Sequence, residues 1–116
     1  MKLAIIGSRG LNINIGEKLP EKYRKPDMII SGGARGIDTL ARQYAEKNGI
    51  ELEEIKPDYE QYGKYAPHIR NNEIIKKADV VIAFWDGKSR GTSSVIKKCR
   101  KIGKEIEVIE CFKIAK

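Results

Sequence analysis

Three short stretches of this sequence set glycine, hydroxyl and arginine side by side: Gly7-Ser8-Arg9-Gly10, Ser31-Gly32-Gly33-Ala34-Arg35-Gly36, and the run Asp86-Gly87-Lys88-Ser89-Arg90-Gly91-Thr92-Ser93. These residue types suit the capture of an anion. Glycine removes the Cβ that would hold an oxyanion away from backbone N–H groups, and it tolerates φ > 0. Ser8, Ser31, Thr92 and Ser93 add hydroxyl donors, while Arg9, Arg35 and Arg90 add charge and a bidentate fork. Each stretch taken alone also reads as a tight turn. Gly32-Gly33-x-x-Gly36 is not the G-x-G-x-x-G dinucleotide pattern, and G-x-x-x-x-G-K-[ST] does not occur. Asp38 falls in the first turn of the helix that follows the second stretch. It either answers the helix dipole or contacts a ribose hydroxyl or a loop arginine.

A fourth informative piece is residues 63–72, Gly-Lys-Tyr-Ala-Pro-His-Ile-Arg-Asn-Asn. Arg70 and Asn71 open a helix there, which brings that end over the crevice. Tyr62 and Tyr65 have two readings, stacking on a base or packing in the core, and the sequence leaves both open. Trp85 reads as part core and part pocket wall. No carboxylate pair has a spacing that compels acid–base chemistry, so no catalytic residue is assigned. The lone His68 reads as a surface residue. Cys99 and Cys111 lack metal-ligand spacing and read as small buried hydrophobes.

The elements that must position these residues are legible from periodicity. Continuous apolar runs at residues 3–6, 28–30 and 80–85 predict strands buried on both faces. Runs at 50–55 and 106–109 carry glutamates and predict edge strands. Ile37, Leu40, Ala41, Tyr44 and Ala45 follow helical spacing, and Asn48-Gly49 stops that helix. Further helices are expected at 14–19, at 69–77, and from a Thr92 or Ser93 cap to 102, where Gly103 ends it. Residues 20–26 read as a polar connection and 57–67 as a loop. Strands alternating with helices predict a single-domain α/β fold over 1–116, a Rossmann-like doubly wound parallel sheet of about five strands in the order 3-2-1-4-5. That order brings the three glycine-bearing loops to one rim, at the point where the winding reverses and such sheets bind ligands.

Composition narrows the function. No apolar run approaches the roughly 20 residues that cross a bilayer, so a cytoplasmic chain without a membrane partner is expected. The net charge of +7 fits an anionic partner. Much of the excess lies in Lys97, Lys98, Arg100, Lys101, Lys104, Lys113 and Lys116, which read equally as a solvated helix face and tail.

The residues Gly7-Ser8-Arg9, Ser31 through Asp38, Tyr62-Gly63-Lys64, Ile69-Arg70-Asn71, Ala83 through Gly87, and Gly91-Thr92 together resemble the SLOG superfamily. That Rossmann-like group includes the Smf/DprA and Lonely Guy proteins, and the resemblance is closest to its small YspA/YpsA-related branch. It runs from about residue 2 to 110. It implies a nucleotide or nucleotide-derived ligand held by Gly7, Ser8, Arg9, Gly32, Gly33, Gly36, Asp38, Arg70, Asn71, Gly91 and Thr92. Lonely Guy enzymes carry P-G-G-x-G-T-x-x-E, whose glutamate serves in hydrolysis of an N-glycosidic bond. Val95 stands at that position here, and a valine is neither acid nor base, so the resemblance favours binding over turnover. The further partners it implies are a second copy of the chain and, as in Smf/DprA proteins, single-stranded nucleic acid. No metal and no definite cofactor is expected beyond the nucleotide-like ligand.

Overall fold

A computed structural model describes residues 1–111. In chain order the elements are β1 (Lys2–Gly7), α1 (Ile15–Lys18), β2 (Met28–Ser31), α2 (Ile37–Asn48), β3 (Glu51–Glu54), α3 (Tyr59–Tyr62), α4 (Ala66–Lys77), β4 (Val80–Trp85), α5 (Arg90–Ile102) and β5 (Ile106–Glu110). Two 3-10 turns sit at Glu21–Tyr23 and Gly63–Tyr65. Every strand pairing is parallel, and the order is β3-β2-β1-β4-β5, the doubly wound topology expected. At the centre of the sheet Ala4 is in register with Ile30 on one side and Val81 on the other.

Successive strand residues point to opposite faces. Leu3, Ile5, Ile82 and Phe84 therefore pack beneath α1 and α2, with Ile15, Ile37 and Ala41. Ala4, Ile6, Val81 and Ala83 pack on the other face with Ile74 and Ile75 of α4 and Val95, Ile96 and Cys99 of α5. Both faces of β1, β2 and β4 are covered, which is why those runs are apolar without alternation. Each large side chain buried this way contributes about 2 kcal/mol. β3 and β5 are the edges, and their glutamates are half-buried or exposed. α2 and α5 each end on a left-handed glycine, Gly49 at φ 64° and Gly103 at φ 75°, where the sequence places the stops.

The structure corrects three local expectations and decides one reading that the sequence leaves open. The 57–67 segment is not an irregular loop. It holds α3, capped by Asp58, whose carboxylate accepts the Gln61 N–H at 3.1 Å, and then a 3-10 turn. α4 begins at Ala66 rather than 69, because Pro67 suits a first turn, where its missing N–H has no helical partner to lose. Tyr59, Tyr62 and Tyr65 are 58%, 38% and 61% exposed, so none packs in the core. Finally, α5 begins at Arg90 with Ser89 in the N-cap position, so Thr92 and Ser93 lie inside its first turn. Asp86 explains the early start. Its carboxylate takes the N–H groups of Lys88 and Ser89 at 2.8 Å and 2.7 Å and winds the loop tightly enough to seed the helix.

Cys99 and Cys111 are buried, as read from the sequence. Residues 20–26 carry the first 3-10 turn and bury Tyr23. Lys97, Lys98, Arg100 and Lys101 are exposed on α5, whereas Lys104 is half-buried and donates to the Ala78 carbonyl at 2.6 Å. Lys113 and Lys116 lie outside the described residues. Among the described residues no helix is long and apolar enough to cross a membrane.

Candidate functional site

β2, β1 and β4 are neighbours, so their carboxyl ends share one rim. β1 is the strand at which the winding reverses: α2 covers one face of the sheet, while α4 and α5 cover the other. Two hydrogen bonds stitch the first loop to the end of β4 and to the third loop. Ser8 N–H donates to the Phe84 carbonyl at 3.0 Å, and Asp86 N–H donates to Ser8 Oγ at 3.2 Å. Above this seam opens a cleft of about 480 Å³. The second loop and the start of α2 form one wall, and the start of α5 forms another. A third comes from α4, whose Pro67, Arg70, Asn71 and Ile74 recur at i, i+3, i+4 and i+7 and so share one face.

Eleven of the residues expected from sequence line the cleft: Gly7, Ser8, Arg9, Gly32, Arg35, Asp38, Arg70, Asn71, Asp86, Gly91 and Thr92. Six others do not: Ser31, Gly33, Gly36, Gly87, Arg90 and Ser93. Ser31 is wholly buried at the end of β2, its Oγ without a hydrogen-bond partner among the described residues. Gly33 faces the Lys56 side chain, where an added Cβ would lie 3.1 Å from Cγ, so a valine there would meet β3 and its following loop rather than the cleft. Gly87 serves the turn at φ 83°. Arg90 is exposed at the outer edge of α5, and Ser93 is half-buried away from the lining. The lining also includes Ile6, Gly10, Ala34, Pro67, Ile74, Ser89 and Val95, which sequence reasoning did not assign to the site. Helical spacing from Arg70 and Asn71 is the signal that points to Pro67 and Ile74.

Most of the glycines clear space for the protein's own atoms. A Cβ on Gly7 would fall 2.5 Å from the Phe84 carbonyl oxygen and 2.6 Å from Ile37 Cγ1. On Gly32 it would fall 2.5 Å from Arg70 Nη1 and 2.9 Å from Asp38 Oδ2. Gly36 has φ 75° and passes directly against the Arg9 main chain. Gly91 differs: an added Cβ there meets nothing within 4 Å. The N–H groups of Arg90, Gly91 and Thr92 precede the first bond of α5, which Ser93 donates to Ser89 O. Ser89 supplies no side-chain cap, and neither does Gly36 at the start of α2. The short helices whose residues stay out of this cleft are capped by their own side chains, α1 by Asn14 and α3 by Asp58.

The charged groups are ordered by their neighbours. Burial pushes the Asp38 carboxyl up. The Ala34 N–H, which it accepts at 3.1 Å, and the nearby Arg70 guanidinium act the other way. Arg70 is itself lowered by burial, partly offset by Asp38. It donates from Nη1 to the Gly32 carbonyl at 2.9 Å and from Nε to Asn71 Oδ1 at 2.7 Å, which fixes the guanidinium between the second loop and α4. Asp86 is held below the usual carboxylate range, first by the Ser89 N–H and then by the Lys88 N–H. Arg9 and Arg35 are exposed, and no salt bridge engages them among the described residues. Thr92, 4% exposed, has among the described residues only a long side-chain contact of 3.4 Å, from Ser89 Oγ to its own Oγ1. Val95 closes the floor beside it.

The fold is shared with DNA processing protein A (DprA) from Streptococcus pneumoniae, which superposes with a TM-score of 0.75 at 20% identity over 95% of this chain. The chain spans half the length of that protein. No curated protein matches the sequence. The sequence model of the YAcAr family, described as YspA, cpYpsA-related SLOG, matches residues 1–62. That stretch carries the first two glycine loops, Asp38 and all of α2, just over half of the chain. The chain is therefore a member of the YspA, cpYpsA-related SLOG family.

Proposed function

We propose that the chain binds a nucleotide-derived, phosphate-bearing small molecule in this cleft and holds it without turnover. The observation that carries the reading is the open first turn of α5, uncapped and unobstructed at Gly91, facing a cleft of about 480 Å³. Free N–H groups at a helix start, with the positive end of the helix dipole, favour a phosphate. Ser8 and Thr92 place hydroxyls beside that seat, and Arg9 and Arg35 bring charge from the opposite wall. The volume lies within the usual range for small-molecule sites.

The cleft's chemistry favours holding over hydrolysis. Asp86 spends its carboxylate on two N–H groups, which stabilises the charged form and makes it a poor base. Val95 adds no proton-transfer group. Asp38, raised by burial, is the acid a hydrolytic reading would use. It lacks a second free carboxylate in the lining, and glycoside hydrolysis ordinarily employs two.

Isothermal titration with ADP-ribose, NAD and mononucleotides tests the proposal, with the matching nucleosides as controls. Phosphate-bearing compounds should saturate the site, and the nucleosides should bind at least about tenfold more weakly, since a charge-assisted contact contributes roughly 1.5–3 kcal/mol. Gly91→Val should fold and weaken the phosphate-bearing ligand. Silence across the panel, or equal affinity for nucleosides, would overturn the reading. Chromatography of the titrated ligand reports any turnover.

A further inference from the structure

One end of the cleft is unsuited to an anion. Asp38 is 9% exposed and lines the wall formed by the second loop and α2. Its Oδ2 accepts the Ala34 N–H at 3.1 Å, and its Oδ1 has no hydrogen-bond partner among the described residues. No ion pair neutralises it among those residues either. Arg70, the nearest cation in the lining, turns Nη1 to the Gly32 carbonyl and Nε to Asn71. An Nε–H only donates, so the Asn71 atom that meets it at 2.7 Å is the carbonyl oxygen, and the amide N–H groups of Asn71 are left over. Asn71 lines the adjoining wall, from α4. One wall therefore offers a spare acceptor and the next a spare donor. A buried acceptor costs free energy until something donates to it.

A phosphate brings acceptors and negative charge, so a carboxylate repels it and leaves it to the start of α5. A hydroxyl donates and accepts at once. Two neighbouring hydroxyls can give a hydrogen to Asp38 and take one from Asn71. The base is the other neutral part of a nucleotide, and protein sites grip a base largely by stacking it on a flat ring. None of the described residues that line the cleft is aromatic. Trp85, at the end of β4, ties its indole N–H to the Ser89 carbonyl at 3.0 Å and stays out of the lining. The apolar side chains of the lining, Ile6, Ile74 and Val95, are buried in the core and offer a base almost no surface.

We propose that the cleft recognises the ribosyl phosphate part of its ligand and is indifferent to the base. The cis-diol of the ribose donates to Asp38 Oδ1 and accepts from the Asn71 amide. The 5′-phosphate sits at the start of α5, and the base projects out of the cleft. This rests on the reading of the cleft as a phosphate-binding site and adds what selects the rest of the ligand. Asp38 is then a specificity-determining residue, and the ligand class is ribosyl 5′-phosphates as opposed to their deoxy counterparts.

The test is isothermal titration with AMP, UMP and the 2′-deoxy form of each. AMP and UMP should bind within about threefold of each other, because no stacking surface tells them apart. Each 2′-deoxy compound should bind at least about tenfold more weakly than its ribo partner, the loss of a hydrogen bond to a charged group. Asp38→Asn keeps an oxygen for the Ala34 N–H but leaves the diol a neutral partner, so it should shrink that ratio to about threefold or less. Circular dichroism verifies the fold of the variant. Gly91→Val should instead weaken ribo and deoxy forms by the same factor and keep the ratio, because it acts at the phosphate end. Equal binding of ribo and deoxy forms by the wild type overturns the proposal without any variant, and so does a preference above about tenfold between AMP and UMP. Either result leaves the phosphate seat standing, whereas no binding of any of the four compounds overturns both. An Asp38→Asn variant that keeps the full ratio also overturns the proposal.

Discussion

At Gly36 the backbone turns with φ 75° and runs against the main chain of Arg9, while at Gly91 an added Cβ has nothing within 4 Å to touch. The two residues occupy similar places, each at the start of a long helix whose first turn borders the same cleft. Gly36 is where the first loop and the second loop are joined closely enough to act as one wall. Gly91 stands where the opposite wall is left bare. One glycine is demanded by the protein's own packing, and the other leaves a helix end unshielded. The lesson is that a glycine-rich loop is not a single physical device. The same letter marks crowding in one loop and vacancy in another, and the neighbouring atoms decide which.

The largest expected effect is on the crowded side. Gly36→Ala combines a left-handed backbone with overlap on an immovable carbonyl, and should cost about 3 kcal/mol or more in urea unfolding. A loss under about 1 kcal/mol would mean that Arg9 moves freely, and the contrast between the walls would fail. Asp86→Ala removes the carboxylate that winds the loop before α5, and should cost about 1–2 kcal/mol at neutral pH. The sign with pH follows from its lowered pKa. The contribution is present above the ordinary carboxylate value near 3.9 and is lost as pH falls through the still lower folded value. The stability gap between wild type and Asp86→Ala should therefore close toward acid; a gap constant from pH 7 to strongly acidic solution would count against the loop role. The smallest effect belongs to the bare side. Gly91→Ala should stabilise the chain by about 0.5–1 kcal/mol, since alanine favours a helix. Helical side chains lean toward the N-terminus, so the same methyl should reduce affinity for a phosphate-bearing ligand. Stabilisation with no change in ligand affinity would place the anion elsewhere.

The sheet was readable because burial on both faces leaves an unmistakable apolar run at residues 80–85, and because Glu51, Glu53 and Glu107 mark the edges. The meeting of the three loops followed from that order by geometry. Boundaries were less legible where a local hydrogen bond competes with periodicity. The Asp86 carboxylate starts α5 at Arg90, and Pro67 starts α4 early, yet neither effect changes the spacing of apolar residues. The exposed tyrosines illustrate another limit. Aromatic residues in a polar segment look alike whether they turn inward or outward, and only the packing of α3 on α4 distinguishes the two. Within the site, chemistry-bearing residues such as Arg70 were visible, whereas Ile6 and Ile74 were not, because a cleft floor and a core share one vocabulary.

The position of β1 in the middle of the sheet has a consequence for biogenesis. Its first neighbour, β2, emerges within about 25 residues, but β4, which completes its other edge, begins only at Val80. While the ribosome makes the intervening segment, the nascent chain carries an apolar strand with one open side, the kind of surface that invites mispairing and chaperone capture.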